Sequence, residues 1–326
     1  MRPLWKDVVL AAILGVVLPG LVIGFGVAIR DGMAEQPEQP PPEGMHTVSS
    51  YEPVTMYLRQ GEEKIPMELE TYLVGVVCGE MPASFETEAL KAQAVVARTY
   101  TLKAMTTGGK HRDGSLCQDP ACCQAYIAES DYLALGRTQA DLEKIQSAVR
   151  DTACLVLTYE GSLIEATYFS CSGGSTEDAV AVWGTDYPYL RAKESPGEEQ
   201  ATYFQDKVFF TRNTLEQALG VSLNADPTAW IGYTTYTAGG GVNTMVIGGK
   251  EFRGTQLRSL LGLRSTAFTV EVQGDGIDIV TKGYGHRVGM SQYGADAMAV
   301  NGNSYEEILQ HYYQGTVLEY RSIDKP

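Results

Sequence analysis

The sequence predicts an α+β fold: mixed helices and antiparallel hairpins, a small α/β subdomain inserted at about residues 204–263, and a single N-terminal transmembrane helix. Three observations lead there. Segments of helical period and segments of strand character follow one another without the regular βαβ alternation of a parallel sheet. Two stretches, Ala153–Ser170 and Phe268–Lys282, read as β-hairpins, the first turning at Glu160-Gly161. An uncharged run, Val8–Ile29, stands apart from everything after it.

That run has 22 residues, enough to cross roughly 30 Å of hydrocarbon as a helix. Arg2 and Lys6 precede it, and this charge bias places residues 1–7 in the cytoplasm and the rest outside. A cleaved signal peptide is the alternative, but the run is long for one and "VAIRDGMA" is a poor cleavage site. Residues 30–50 contain "AEQPEQPPPEG", whose prolines stiffen the chain into a spacer. The extracytoplasmic domain is then 51–326.

Within it, Lys64–Pro82 reads as a helix. Pro66 suits the first turn, and Glu68 and Glu70 suit the positive end of the dipole. Leu69, Tyr72, Leu73, Val76 and Val77 recur at helical spacing, and Pro82 ends the run. A second helix is expected from Phe85 to Met105 with Ser84 as its cap. A polar, cysteine-bearing loop, Gly108–Gln124, separates it from a third helix over Asp141–Thr152. After the first hairpin comes a small-residue loop, Cys171–Asp178, and then the insertion. The second hairpin runs into the glycine-rich "GYGHRVG", and Ser291, Gln292 and Tyr293 open a helix. Ser304 and Glu307 form a capping box for the last helix, which leads to the strand Thr316–Tyr320.

The net charge is −15, from 40 acidic and 25 basic residues. Nucleic acid attracts clustered Lys and Arg, so it is excluded as a partner class.

Glu80 is the residue that does not fit its surroundings. It lies four residues after Val76 and three after Val77, so it extends the apolar face of the first helix. It also sits at the negative end of the helix dipole. Both circumstances disfavour the carboxylate and raise its pKa, and a carboxylic acid kept protonated near neutral pH can hand a proton to a leaving oxygen. The competing reading is a frayed helix end with Glu80 in water. Lys91 and Arg98 are seven apart and share a face. They form a solvated edge, face a substrate, or hold Glu80; an Arg beside Glu80 would lower its pKa.

Three blocks, "YLVGVVCGEMPASFETEALKAQAVVARTY", "TYFSCSGGSTEDAVAVWGTDYPYL" and "GYGHRVGMSQYGADAMA", resemble the signature blocks of the stage II sporulation protein D family. The resemblance covers the chain from about residue 50 to the end, and the anchor and linker are similar too. It implies a membrane-anchored lytic transglycosylase of the septal wall, acting during engulfment in endospore formation. The bond cut is the β-1,4 linkage between N-acetylmuramic acid and N-acetylglucosamine, in glycan already stripped of stem peptides. The implied partners are an amidase, stage II sporulation protein P, and a membrane protein of the engulfment complex. The family's catalytic glutamate falls on Glu80. Ordinary glycosidases need two carboxylates, and no second conspicuous acid stands in these blocks. A lytic transglycosylase needs one, because the muramyl C6 hydroxyl attacks from within the substrate. Some similar domains are described as amidase modifiers, so a non-catalytic, wall-binding scaffold or amidase enhancer is the alternative function.

By the same resemblance, Arg98, Tyr189 and Arg191 are candidates for substrate contact. An Arg can pair with the lactyl carboxylate of a stripped muramic acid, and a Tyr offers a flat face to a sugar ring or is a core aromatic. Ser172, in "SCSGGST", offers a hydroxyl on a loop or belongs to a tight turn, and no GxSxG elbow makes it a nucleophile. His286 can move protons near neutral pH or merely cap a turn. Ser291 and Gln292 can bond sugar hydroxyls or acetamido groups.

His111, Cys117, Cys122 and Cys123 form a local His-Cys-Cys-Cys set. Such a set suits tetrahedral zinc in a closed, structural site. Disulfides are the rival on this side of the membrane. Cys78, Cys154 and Cys171 read as small buried hydrophobes.

Overall fold

The computed structural model describes residues 53–321. The expected tail, anchor and linker over 1–50 lie outside the described residues. No helix among the described residues is long and apolar enough to cross a membrane. The architecture is α+β, as expected.

It opens with a hairpin that periodicity alone had merged into the first helix. β1 (Thr55–Gln60) pairs antiparallel with β2 (Glu63–Glu68), and α1 (Leu69–Glu80) starts only afterwards. Pro66 therefore sits in β2, not in a first helical turn. Its missing N–H is tolerated because β2 is an edge strand. α2 (Thr87–Thr107) begins two residues later than a Ser84 cap would set it. A tertiary carboxylate takes over instead: Asp296 Oδ1 accepts from the Glu86 N–H at 2.7 Å.

β3 (Leu116–Cys117) adds to β1, and α3 (Glu129–Ala134) precedes α4 (Gln139–Asp151). α4 starts two residues before the expected Asp141, because Thr138 and Asp141 form a capping box. β4 (Leu155–Tyr159) and β5 (Ser162–Leu163) make the first hairpin. Its turn residues Glu160 and Gly161 have φ of 50° and 75°, the left-handed pair that a two-residue hairpin turn demands. The second strand does not continue to Ser170. Instead β6 (Tyr168–Phe169) leaves this sheet and pairs in parallel with β13 (Met290–Ser291). That pairing joins two stretches over 120 residues apart and builds one wall of the site.

α5 (Ala179–Trp183) follows. The inserted subdomain is larger than 204–263. It holds β7 (Gln205–Thr211), α6 (Arg212–Leu219), β8 (Ile231–Tyr236), β9 (Val242–Ile247), β10 (Lys250–Arg253) and α7 (Gly254–Leu261). The hairpin of β11 (Phe268–Gln273) and β12 (Gly276–Lys282) belongs to it as well, because β12 pairs along all of β7. Phe268, Ile277 and Ile279 share a core with Leu215, Trp230 and Leu257, separate from the main one. All strand pairs in this subdomain are antiparallel.

The chain then returns to the main body with α8 (Gln292–Val300), α9 (Tyr305–Tyr312) and β14 (Val317–Tyr320). The Ser304–Glu307 capping box forms, and β14 pairs antiparallel with β4. The main core is organised around α2, which packs against α1, α4, β4, α8 and α9. Its Ala89, Ala92, Ala94 and Ala97 are fully buried; small side chains let neighbouring helices approach a helix that is covered almost all round.

Candidate functional site

Glu80 is the last residue of α1, followed by an extended Met81. Three distant segments converge on its carboxylate. Oε1 accepts from the Ala125 N–H at 2.7 Å and from the Tyr168 hydroxyl at 3.0 Å, and Oε2 accepts from the Gln292 amide at 3.4 Å. Gly75 and Gly79, four apart on α1, explain how the Ala125 segment comes so close. A Cβ at Gly75 would enter the Tyr126 ring, and one at Gly79 would press on the backbone of Ala125. The loop lies on a groove that only glycines leave open. Gln292 is aimed by its place at the start of α8, whose N-cap Ser291 accepts from the Gly294 N–H at 3.2 Å.

The Glu80 pKa is raised, with desolvation by burial as the main cause and its three hydrogen bonds opposing. The expected direction is therefore present. Its source is tertiary burial, and all three hydrogen-bond donors on the carboxylate are neutral.

Two cavities meet at this carboxylate. One, of about 300 Å³, is lined by Glu80, Phe85, Arg137, Tyr203 and Tyr293 among others. The other, of about 460 Å³, is lined by Glu80, Lys110, Tyr168, Trp183, Tyr284 and His286 among others. They share Glu80, Ser170 and Gln292, and Glu80 is the only carboxylate among the lining residues of either. The site is thus an open trough with one acid at its middle.

His286 is half-buried against Phe169 and Trp183, with ring centroids at 5.6 and 5.2 Å. Its Nδ1 accepts from the Val288 N–H at 3.1 Å. Burial, then the Arg258 charge, push its pKa down to about 4. It stands in the second cavity as a neutral imidazole near pH 7, which suits hydrogen bonding better than proton uptake.

Other expected site residues are placed elsewhere. Arg98 is 1 % exposed, and its guanidinium forks onto Glu70 at 2.6 and 2.8 Å while bonding the carbonyls of Leu155 and Val149. It ties α1, α2, α4 and β4 together, does not bond Glu80 and lines neither cavity. Tyr189 is a core aromatic beside Tyr159 and Tyr187, its hydroxyl accepting from the Glu165 N–H. Arg191 pairs with Asp186 at 2.7 Å and lines neither cavity. Ser172 is buried, its hydroxyl donated to Glu198. Ser291 is buried as a helix cap and lines neither cavity. Lys91 pairs with Glu88.

Sequence reasoning missed Tyr168, the Ala125 N–H, Trp183, Tyr203, Lys110 and Arg137. Tyr168 and Trp183 sat inside a recognised block. The two glycines of α1 were a usable signal for a close backbone approach.

The loop before Ala125 carries the cysteine set. The ligand atoms of His111, Cys117, Cys122 and Cys123 lie within 4.8 Å of one another. Cys122 Sγ is 3.6 Å from His111 Nε2 and 4.0 Å from Cys123 Sγ. Tetrahedral thiolates about 2.3 Å from zinc stand ~3.7 Å apart, so the donor set fits that metal. All six cysteines are free thiols. Cys78 and Cys171 are buried as expected, whereas Cys154 is half-exposed at a positive φ. Cys171 also donates to Glu198.

Fold and site together define a class: an α+β cleft protein with one desolvated carboxylate where two cavities join. The family model described as Stage II sporulation protein matches residues 60–159. Stage II sporulation protein D of Bacillus subtilis (strain 168) is 38 % identical over 322 residues, 94 % of this chain and 93 % of the relative. Stage II sporulation protein D of Bacillus amyloliquefaciens is 42 % identical over 268 residues, 81 % and 77 % of the two chains. A protein of Bacillus subtilis (strain 168) named Amidase enhancer is 33 % identical over 306 residues, 76 % of this chain and 40 % of the relative. The chain belongs to the stage II sporulation protein D family.

Proposed function

We propose that the chain is a lytic transglycosylase that cuts the N-acetylmuramic acid–N-acetylglucosamine β-1,4 bond of peptide-stripped peptidoglycan during septal wall remodelling and engulfment. The observation that carries this reading is Glu80: a desolvated acid with neutral partners, alone among the lining of an open trough. A two-carboxylate hydrolase would show its second acid across the cleft.

Protonated Glu80 donates to the glycosidic oxygen as the C1–O4 bond breaks. The carboxylate so formed then takes the proton of the muramyl C6 hydroxyl while that oxygen closes onto C1, which leaves a 1,6-anhydro end. Tyr168, Gln292 and the Ala125 N–H hold the carboxylate between the two transfers, and intramolecular attack has a high effective molarity. An amidase such as stage II sporulation protein P precedes this step, and an N-terminal anchor holds the domain at the outer membrane face beside a membrane partner. Mass analysis of products from peptide-stripped strands checks the reading. The chain yields anhydro ends and Glu80→Gln yields none; equal yields from both reject it.

His111, Cys117, Cys122 and Cys123 would hold zinc as a structural clamp on the loop. Protein purified without added zinc then carries about one equivalent of the metal. Disulfides with no bound metal would count against it. The relative named Amidase enhancer supports a second reading, a wall-binding scaffold that stimulates an amidase. On that reading Glu80→Gln leaves amidase stimulation unchanged.

A further inference from the structure

We infer that Lys110 and Arg137 select glycan strands whose alternate sugars bear free carboxylates. This rests on the glycan-cleaving reading and names the residues that make the substrate class acceptable.

The chain carries 40 acidic residues against 25 basic, yet the trough reverses that balance. Apart from Glu80, held toward its neutral form, Arg137 is the charged residue lining the first cavity and Lys110 the one lining the second. Both side chains are exposed. Neither forms an ion pair among the described residues, whereas Arg98, Arg191, Arg287 and Lys91 are each paired with an acid. Asp141, whose carboxylate is held by Thr138 in the cap of α4, feels the Arg137 charge but forms no ion pair with it. Two cations thus face the trough, neither of them ion-paired with an acid among the described residues.

Each also shares its cavity with a partly exposed aromatic ring, that of Tyr203 having the Arg264 guanidinium 5.2 Å from its centroid. Trp183 is 42 % exposed in the Lys110 cavity, and Tyr203 is 40 % exposed in the Arg137 cavity. Tyr203 lies 5.1 Å from Tyr284 between ring centroids. An exposed ring offers the apolar face of a pyranose a platform, and an unpaired cation beside it offers a carboxylate a charge-assisted bond. A β-1,4 strand cut after a muramyl unit has one acidic sugar at the break and another two units along on the far side. One cation lines each of the two cavities that meet at Glu80, so each side of the break has one. A stem peptide turns each lactyl carboxylate into an amide, which removes the charge these cations bind. Selection for stripped strands is thereby built into the trough, without the Arg98 and Arg191 contacts that the sequence suggested.

The test reads binding, so it stands or falls apart from the catalytic reading, which is read on product. Full-length chain carrying Glu80→Gln is titrated with peptide-stripped strands having free lactyl carboxylates, and with the same strands converted to methylamides. The free-acid strands bind about tenfold more tightly, and the ratio shrinks as salt rises. Adding Lys110→Gln and Arg137→Gln brings the ratio to about one, while Lys110→Arg with Arg137→Lys keeps it. Equal affinities for the two strands before those changes, or a ratio that survives the double Gln substitution, overturns the assignment.

Discussion

Glu80 and Glu198 are both glutamates withdrawn from solvent, and the regions around them are built differently. Glu198 is 1 % exposed. Five donors converge on it: the Ser172 and Gly173 N–H groups, the Ser172 and Ser195 hydroxyls, and the Cys171 thiol. Ser195 continues the network to Tyr312 at 2.7 Å. Neither cavity includes Glu198 among its lining residues. It is a closed knot that fixes the small-residue loop against α9. Glu80 has three donors, one of them long, and opens onto two cavities. Burial alone does not make an acid catalyst. Sparse neutral donors and an opening to the cavities are what the proposed role of Glu80 needs, and the same side chain serves structure where donors are abundant and neither cavity adjoins.

Four substitutions probe that contrast. On the proposed function Glu80→Gln removes the proton donor and lowers turnover by about 10²–10⁴-fold. It also has a stability signature. Because the folded pKa of Glu80 is raised, its favourable contribution is full below the unfolded-state pKa and is lost as pH rises through the folded one. Gln carries no such loss, so the variant gains stability relative to the parent as pH rises through that range. Melting curves against pH check it.

Arg98→Ala breaks a buried pair and strands Glu70 against the core, at a cost of about 3–5 kcal/mol. Chemical denaturation measures this. Glycan affinity of the folded fraction stays at the parent value, because Arg98 lines neither cavity.

Glu198→Gln turns an acceptor-only group into one with an amide facing donors, and costs about 2–3 kcal/mol. The pH–rate profile keeps its position, since no step uses Glu198. A shifted profile would merge the two regions into one electrostatic unit.

Tyr168→Phe has the smallest effect, about tenfold in rate. Its direction is the informative part. The Tyr168 hydrogen bond lowers the Glu80 pKa, so losing it moves the alkaline limb of the pH–rate profile to higher pH. A limb that moves down, or not at all, separates Tyr168 from the proton.

Much of the fold was legible wherever the signal was local. The Ser304–Glu307 box, the helix opening near Gln292 and the Glu160-Gly161 turn each depend on residues within four positions, and each formed. The limits of the first helix were not legible. Pro66 and Glu68 read as a first helical turn although both lie in β2, and only the pairing of β2 with β1 shows where the strand ends. The Glu80 pKa direction was anticipated from the apolar stripe of one helix, although the burial that raises it is tertiary. The roles given to Arg98, Tyr189, Arg191 and Ser172 were not, since a charged or aromatic residue reads alike whether it faces a ligand or a buried partner.

Sequence alone settled the α+β class, most helices, the Glu160-Gly161 turn, the local grouping of His111, Cys117, Cys122 and Cys123, and the acid on an apolar helix face. These depend on backbone preference and on neighbours a turn or two away. Tertiary structure decided which groups meet Glu80, since its partners lie 45, 88 and 212 residues along the chain. It also decided that the insertion runs to Lys282, that Arg98 serves the core, and that Lys110 and Arg137 face the trough unpaired. Packing between distant segments sets how much water and which donors a charge retains, and one-dimensional spacing carries no record of that.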